Sequence, residues 1–266
     1  MGYSFYDWNN ALQQRNEYVA DRLKDGSPVV AVTFDGGVLM LTLRGNQRKV
    51  FEIYDRLMMG SLGKQSDIES LRLAAIDSAH REGFERSPDD VSVQRLVGFG
   101  LSPAVKKIYN DQSSIPLTLR AIFAELGRTA NEDHLFVLGF DGEFRTLNRV
   151  AVAAGTAYAE DQGEAYVREH LPTTLSEALR VGLTAWGISR SQLAPKSARE
   201  EEEFDPLRDD GTDAPRVTDD PAVAVREALK DGATLEAALL QRDTRRETKY
   251  RPLTAAETES ALSEYR

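Results

Sequence analysis

Few residues in this sequence are spaced to do chemistry by themselves. His80, His134 and His170 are its only histidines, and they lack any metal-ligand spacing, so surface or partly buried roles are expected for them. Asp89-Asp90 follows Pro88 and reads as a helix start rather than a working carboxylate pair. No glycine loop of the phosphate-binding kind is present. The chain has no cysteine, which excludes disulfides and thiolate metal sites and fits a reducing cytoplasm. No cofactor and no metal are expected. The formal net charge of −10 argues against nucleic acid or an anionic membrane as partner. No run reaches the apolar length of a transmembrane helix, and no N-terminal signal peptide is visible.

The elements that would hold any site are clearer. At 266 residues and 41% hydrophobic, the chain can form one large domain or two small ones with a sizeable core. Val29 to Phe34 and Val38 to Leu43 are short apolar runs joined by Asp35-Gly36-Gly37, a tight-turn signal. Lys49 to Tyr54 and Leu57 to Ser61 form a second pair, turned at Asp55-Arg56. These strands are apolar on both faces, as in a sheet covered on both sides. Asp7 to Lys24 reads as a helix with Trp8, Leu12, Val19 and Leu23 on one stripe, Asp7 as its N-cap and Gly26 past its end. An ordinary surface helix is the plain reading of that segment.

Gln65 to Arg86 is a helix with apolar residues on several faces (Ile68, Leu71, Leu73, Ile76, Ala79), so it should be sandwiched. A second helix is expected from Asp89 to Tyr109, loosened by Gly98, Gly100 and Pro103. Leu117 to Glu125, His134 to Phe140 and Thr146 to Val152 read as strands, the last two joined at Asp141-Gly142. Thr156 to Glu169 and Thr173 to Ile188 form a helical pair. Residues 189–232 read as an acidic, flexible insertion containing a short helix from Asp219 to Lys230. Between Arg199 and Asp220 there are ten acidic and three basic residues. Thr234 to Gln241 and Lys249 to Leu253 are strands, and Thr254 to Tyr265 a helix, so 233–266 completes the domain begun before the insertion.

The order of strand, turn, strand, strand, turn, strand and helix resembles the opening of the proteasome family, within the N-terminal-nucleophile hydrolases. The residues that carry it are Gly26-Ser27, Phe34-Asp35-Gly36-Gly37-Val38-Leu39, Lys49-Val50-Phe51-Glu52-Ile53-Tyr54-Asp55 and Gly63. The resemblance is narrower to the non-catalytic α-type subunit of the actinobacterial kind. Glu17-Tyr18, Lys24 and Gly26-Ser27 match its extra N-terminal helix, and Tyr6-Asp7 resembles a pair in its gate. It implies a four-layer αββα sandwich spanning residues 1–266 as one mixed α/β domain, with 1–26 as gate segment and helix.

In active members a free N-terminal threonine attacks, with a carboxylate ending the second strand and a lysine opening the third. Here the resemblance puts Ser27 at the nucleophile, Lys49 at the lysine and Leu43 at the carboxylate, and Ala153-Ala154-Gly155 lacks the serine usual in that turn. It therefore implies no catalytic residue, a homo-heptameric ring of neighbouring α-subunits stacked on proteasome β-subunits, and docking of a hexameric ATPase activator. The docking positions are Lys49, Gly63, Lys64, Glu17 and Gly26, and the gate positions Tyr3, Phe5, Tyr6 and Asp7. Two other readings stay open: a self-processing hydrolase using Ser27, and a ring scaffold without a protease. Taken without the resemblance, Lys49 reads as a solvated strand-start lysine.

Overall fold

The computed structural model describes residues 5–191 and 220–265, with side chains from residue 9 onward. Helix α1 (Phe5–Leu23) leads into β1 (Val29–Phe34), β2 (Gly37–Arg44), β3 (Val50–Tyr54) and β4 (Leu57–Gly63), then α2 (Gln65–Glu85). After a 3₁₀ turn at Pro88–Asp90 come α3 (Val93–Arg95), a π-helical segment (Leu96–Leu101) and α4 (Ser102–Asn110). Strands β5 (Leu119–Glu125), β6 (His134–Leu138), β7 (Phe144–Leu147) and β8 (Val150–Ala153) precede α5 (Ala157–Glu169) and α6 (Leu175–Ser191). The described chain resumes into α7 (Pro221–Lys230), β9 (Thr234–Gln241), β10 (Tyr250–Pro252) and α8 (Ala255–Leu262), closed by a 3₁₀ turn at Ser263–Tyr265.

Two antiparallel five-stranded sheets result, ordered β10-β9-β2-β1-β8 and β3-β4-β5-β6-β7. Strand alternation explains the layers. Val29 and Ala31 of β1 face the second sheet, while Val30, Val32 and Phe34 face α5 and α6. In β4, Met58 and Leu62 face the first sheet and Leu57 and Met59 face α2. With period-two side chains and both faces buried, the strands lose the polar alternation of a solvent-facing sheet. The architecture is the expected αββα sandwich.

The β1–β2 turn needs glycine for space as well as angle. Gly37 has φ +147°, and a Cβ there would lie 1.9 Å from the Leu240 carbonyl oxygen of β9. At this end of the sandwich, Arg242 ties three loops together. It donates to the Asp35 and Gly127 carbonyls at 3.0 and 2.6 Å and to Asp133 Oδ2 at 2.9 Å. The Asp133 side chain is fully buried and that of Arg242 is 12% exposed.

Several expected elements differ. The run from Thr146 to Val152 is two strands in different sheets: β7 pairs with β6 and β8 with β1. Arg149, at φ +70°, turns the chain between them. The helix expected from Asp89 to Tyr109 is broken at Val91 and Ser92, which are extended, and winds as a π-helix where Gly98 and Gly100 fall. Helix α2 is not sandwiched within one chain. Ile68, Leu71, Ala75 and Ala79 are buried, but Leu73 and Phe84 point outward, Phe84 at 92% exposure, because only one face of α2 meets the sheet. Helix α1 has already begun at Phe5, so Asp7 lies in its first turn and is not the cap. Tyr3 lies outside the described residues.

Around the acidic stretch, α6 continues through Ser191, with Ser189 and Ser191 buried in it. Asp220 caps α7, accepting from Ala222 N at 2.9 Å. A Cβ on Gly187 of α6 would lie 2.3 Å from the Pro221 carbonyl oxygen, so α7 packs directly on α6. The expectation for residues 192–219 lies outside the described residues.

Asp133→Ala should destabilise the full chain by about 3–5 kcal/mol, because it leaves the Arg242 cation buried without its carboxylate. Equilibrium urea unfolding measures it, and a loss under about 1 kcal/mol, as for an exposed pair, would contradict this role.

Candidate functional site

Ser27 sits just ahead of β1, where α1 hands over to the sandwich. Its Oγ donates to the Leu43 carbonyl and accepts from Trp186 Nε1 at 3.2 Å. Thr42 Oγ1 lies 3.4 Å away and itself donates to the Pro28 carbonyl at 2.6 Å. Neither the carbonyl nor the indole of that bonded set can take the serine proton as a base. The Leu43 side chain lies 1% exposed in the layer under α6, where it offers only hydrocarbon. The nitrogen of Ser27 is a peptide nitrogen joined to Gly26, so it is no free amine. The other polar candidates are dispersed. His80 stands edge-on to Tyr54, His170 stacks on Tyr166, and Asp89 and Asp90 are exposed in the 3₁₀ turn.

Lys49 directly precedes β3. Its Nζ donates to the Ser27 carbonyl at 2.9 Å, and its backbone N–H donates to Glu236 Oε2 at 2.8 Å. Glu236 stands on β9 opposite Thr42 and is also held by Arg44 and Arg48, at 3.3 and 3.4 Å. That carboxylate is therefore occupied by a backbone N–H and two guanidinium groups. Burial, then repulsion from Arg190, lowers the Lys49 ammonium to about 8, against the pull of Glu236. Among the described residues no carboxylate oxygen lies within 4.0 Å of Lys49 Nζ.

Of the expected docking positions, Gly26 and Lys49 both lie against β4, the strand that ends at Gly63. A Cβ on Gly26 would lie 2.8 Å from Leu62 Cδ1, so β4 lies against the residue preceding Ser27. Ser61 N donates to the Lys49 carbonyl at 3.0 Å. Gly63 ends β4 at φ +130°, where a Cβ would lie 2.1 Å from the Thr118 carbonyl oxygen. Lys64 follows on the exposed side, its N–H bound to that same carbonyl at 2.8 Å. Glu17 is elsewhere, on the exposed face of α1, accepting from Gln13 at 2.9 Å. Of the gate positions, Phe5, Tyr6 and Asp7 lie in the first turn of α1.

Helix α1 is fixed at its C-terminal end. Val19 and Leu23 are buried in the core between the sheets. A Cβ on Gly155 would lie 2.3 Å from the Lys24 carbonyl oxygen and 2.6 Å from that of Leu23. The turn that lacks a serine is thus the seat of the helix. It is held in turn by a buried ion pair. Glu160 accepts from Ala154 N at 3.1 Å and from Arg120 Nη1 at 2.8 Å, and Arg145 bonds its other oxygen at 2.9 Å. Burial raises the Glu160 carboxyl, and Arg120 opposes the shift.

Sequence reasoning missed Trp186, Arg190 and Glu236. Trp186 and Glu236 meet partners 159 and 187 residues away, and no local spacing marks them. An Arg four residues after a Trp on one helix was the only available hint.

A four-layer sandwich whose first strand opens at a serine, with a lysine beside it, defines the N-terminal-nucleophile class, here with the nucleophile position closed. The proteasome subunit family model matches residues 23–189. A "Proteasome subunit alpha" from Actinosynnema mirum is 30% identical over 236 residues, 87% of this chain and 77% of that protein. Proteins of the same description from Sanguibacter keddieii and Geodermatophilus obscurus are 29% and 32% identical over 64% and 65% of this chain. The chain spans 66% and 60% of the length of those two relatives. The chain belongs to the proteasome subunit family, among its α-type members.

Gly155→Ser should displace α1 while leaving the sheets folded. Hydrogen exchange read by mass spectrometry should show faster exchange in Phe5–Leu23 and unchanged exchange in β1 and β8. Unaltered protection of α1 would mean that Gly155 is not its seat.

Proposed function

We propose that this chain forms the outer ring of a 20S-like core protease, gates substrate admission and docks a hexameric ATPase activator for protein degradation. The observation that carries the reading is the junction at Gly26-Ser27. The nucleophile position is internal and fully hydrogen-bonded, while the lysine beside it has no carboxylate within 4.0 Å among the described residues.

Each partner follows from a part of that junction. A heptamer of neighbouring copies would present seven such junctions around one axis, so weak single contacts gain from effective concentration. β-type subunits supply the threonine chemistry that Leu43 forbids here. The activator's C-terminal carboxylate is the natural counter-ion for Lys49, with Gly26, Gly63 and Lys64 shaping the surrounding surface and Glu17 approaching from a neighbouring copy. Tyr3, Phe5, Tyr6 and Asp7, ahead of the body of α1, would converge near the axis as the gate.

Three measurements test this. Native mass spectrometry of the full chain with an actinobacterial β-type partner should give stacked rings. A ring that ignores the β partner would favour a stand-alone scaffold. Removing Met1 to Tyr6 from the assembled core should raise peptide hydrolysis several-fold without activator, and unchanged hydrolysis with assembly verified would count against a gate. In the same core, Lys49→Ala should weaken activator binding by about 2 kcal/mol or more, the scale for truncating one partner of a partly desolvated charge pair. Equal affinity would leave Lys49 as an ordinary lysine.

A further inference from the structure

Arg190 is the residue that the proposed site has not yet absorbed. It lies in the last turn of α6, four residues after the Trp186 that bonds Ser27. Its Nη1 donates to the Asp25 carbonyl at 2.8 Å. Lys49 Nζ donates to the Ser27 carbonyl at 2.9 Å. The two cations therefore grip the backbone on either side of Gly26, one from α6 and one from the start of β3. No carboxylate among the described residues lies within 4.0 Å of either cation.

For Lys49 the arrangement disfavours the charged form, since burial and Arg190 outweigh the pull of Glu236. Two positive groups close enough to repel each other are held on neutral carbonyls, and the nearby Glu236 is engaged by Arg44, Arg48 and the Lys49 backbone. Tyr250, on β10, faces the same cluster through Arg48. Gly26 carries no side chain, and Leu62 Cδ1 lies 2.8 Å from where its Cβ would start, so the backbone between the two cations is held against β4. Resting on the docking role of Lys49, we propose that Arg190 is a second cation of that site, so that a C-terminal carboxylate is held by Lys49 and Arg190 together above Gly26. A carboxylate has two oxygens and can accept from an ammonium and a guanidinium at once. Arg190 is thereby a specificity-determining residue, selecting a free carboxylate terminus over a neutral one.

The site also carries a pH signature with a definite sign. Burial and then Arg190 hold the Lys49 ammonium low, at about 8, when no ligand is bound. A bound carboxylate raises it. Binding then takes up a proton, so affinity is full below about 8 and falls as pH rises through that value toward the bound-state value. Without Arg190 the unbound Lys49 titrates higher, and the fall moves to higher pH.

The experiment uses the assembled full-chain ring, with an N-acetylated synthetic peptide ending in a free carboxylate and the same peptide ending in an amide. The wild-type ring should bind the acid and discriminate strongly against the amide. Arg190→Ala should weaken the acid about tenfold, leave the amide unchanged, and shift the pH at which acid binding falls to higher values. Arg190→Lys should restore part of the discrimination, since a point charge replaces a planar fork. If Lys49→Ala loses acid binding while Arg190→Ala matches the wild type in affinity and pH profile, the second cation is refuted and the docking role of Lys49 stands. If neither variant alters acid binding, the docking reading fails as well. Equal weakening of acid and amide in Arg190→Ala, with no pH shift, would mean that Arg190 only braces the Asp25 loop and would overturn the proposal.

Discussion

The contact on which the rest of this molecule depends is a backbone one: the last carbonyls of α1 resting on Gly155. Any side chain there would drive a Cβ to within 2.3 Å of the Lys24 oxygen, far inside van der Waals contact. With the helix seated, Asp25, Gly26 and Ser27 have one route into β1. That route keeps the Ser27 nitrogen in a peptide bond, aims its hydroxyl at a carbonyl, and brings the Asp25 and Ser27 carbonyls within reach of Arg190 and Lys49. An inert nucleophile position and a cationic junction are therefore two results of one packing constraint.

The charges around the sandwich divide the labour. At the far end of β1, Arg242 and Asp133 form a closed pair, each answering the other's buried charge. Beneath the Gly155 turn, Glu160 is enclosed by Arg120 and Arg145 and fixes the backbone of Ala154. These pairs hold shape. The junction differs because its cations contact neutral carbonyls, and burial there pushes Lys49 toward its neutral form. Among the described residues Glu236 is the anion whose pull Lys49 feels, and it does not offset burial and Arg190; a carboxylate ligand, as proposed, would lower that cost.

Much of this could be read from the sequence, for physical reasons that also mark where reading stopped. Strands β1 to β4 were legible because their signals are local: β-branched apolar runs punctuated by Asp-Gly-Gly and Asp-Arg turns. The N-terminal helix was legible from its stripe, and Val19 and Leu23 are buried as that stripe requires. The split between β7 and β8 was hidden because the Asn148-Arg149 step between them holds no Gly or Pro to signal a turn, and the positive φ of Arg149 marks the change of sheet. Lys49 could be singled out through resemblance, but its surroundings could not. Glu236, Trp186 and Arg190 reach the junction only when β9 and α6 fold over it. Gly155 was noticed for the serine it lacks, and its steric purpose needed coordinates.

The central claim is that α1 and Ser27 remain one continuous chain. Intact-mass spectrometry of the full chain, alone and after incubation with a β-type partner that does process itself, tests this most directly. The account predicts a single species retaining every residue ahead of Ser27 under both conditions. A product beginning at Ser27, absent from Ser27→Ala, would contradict it.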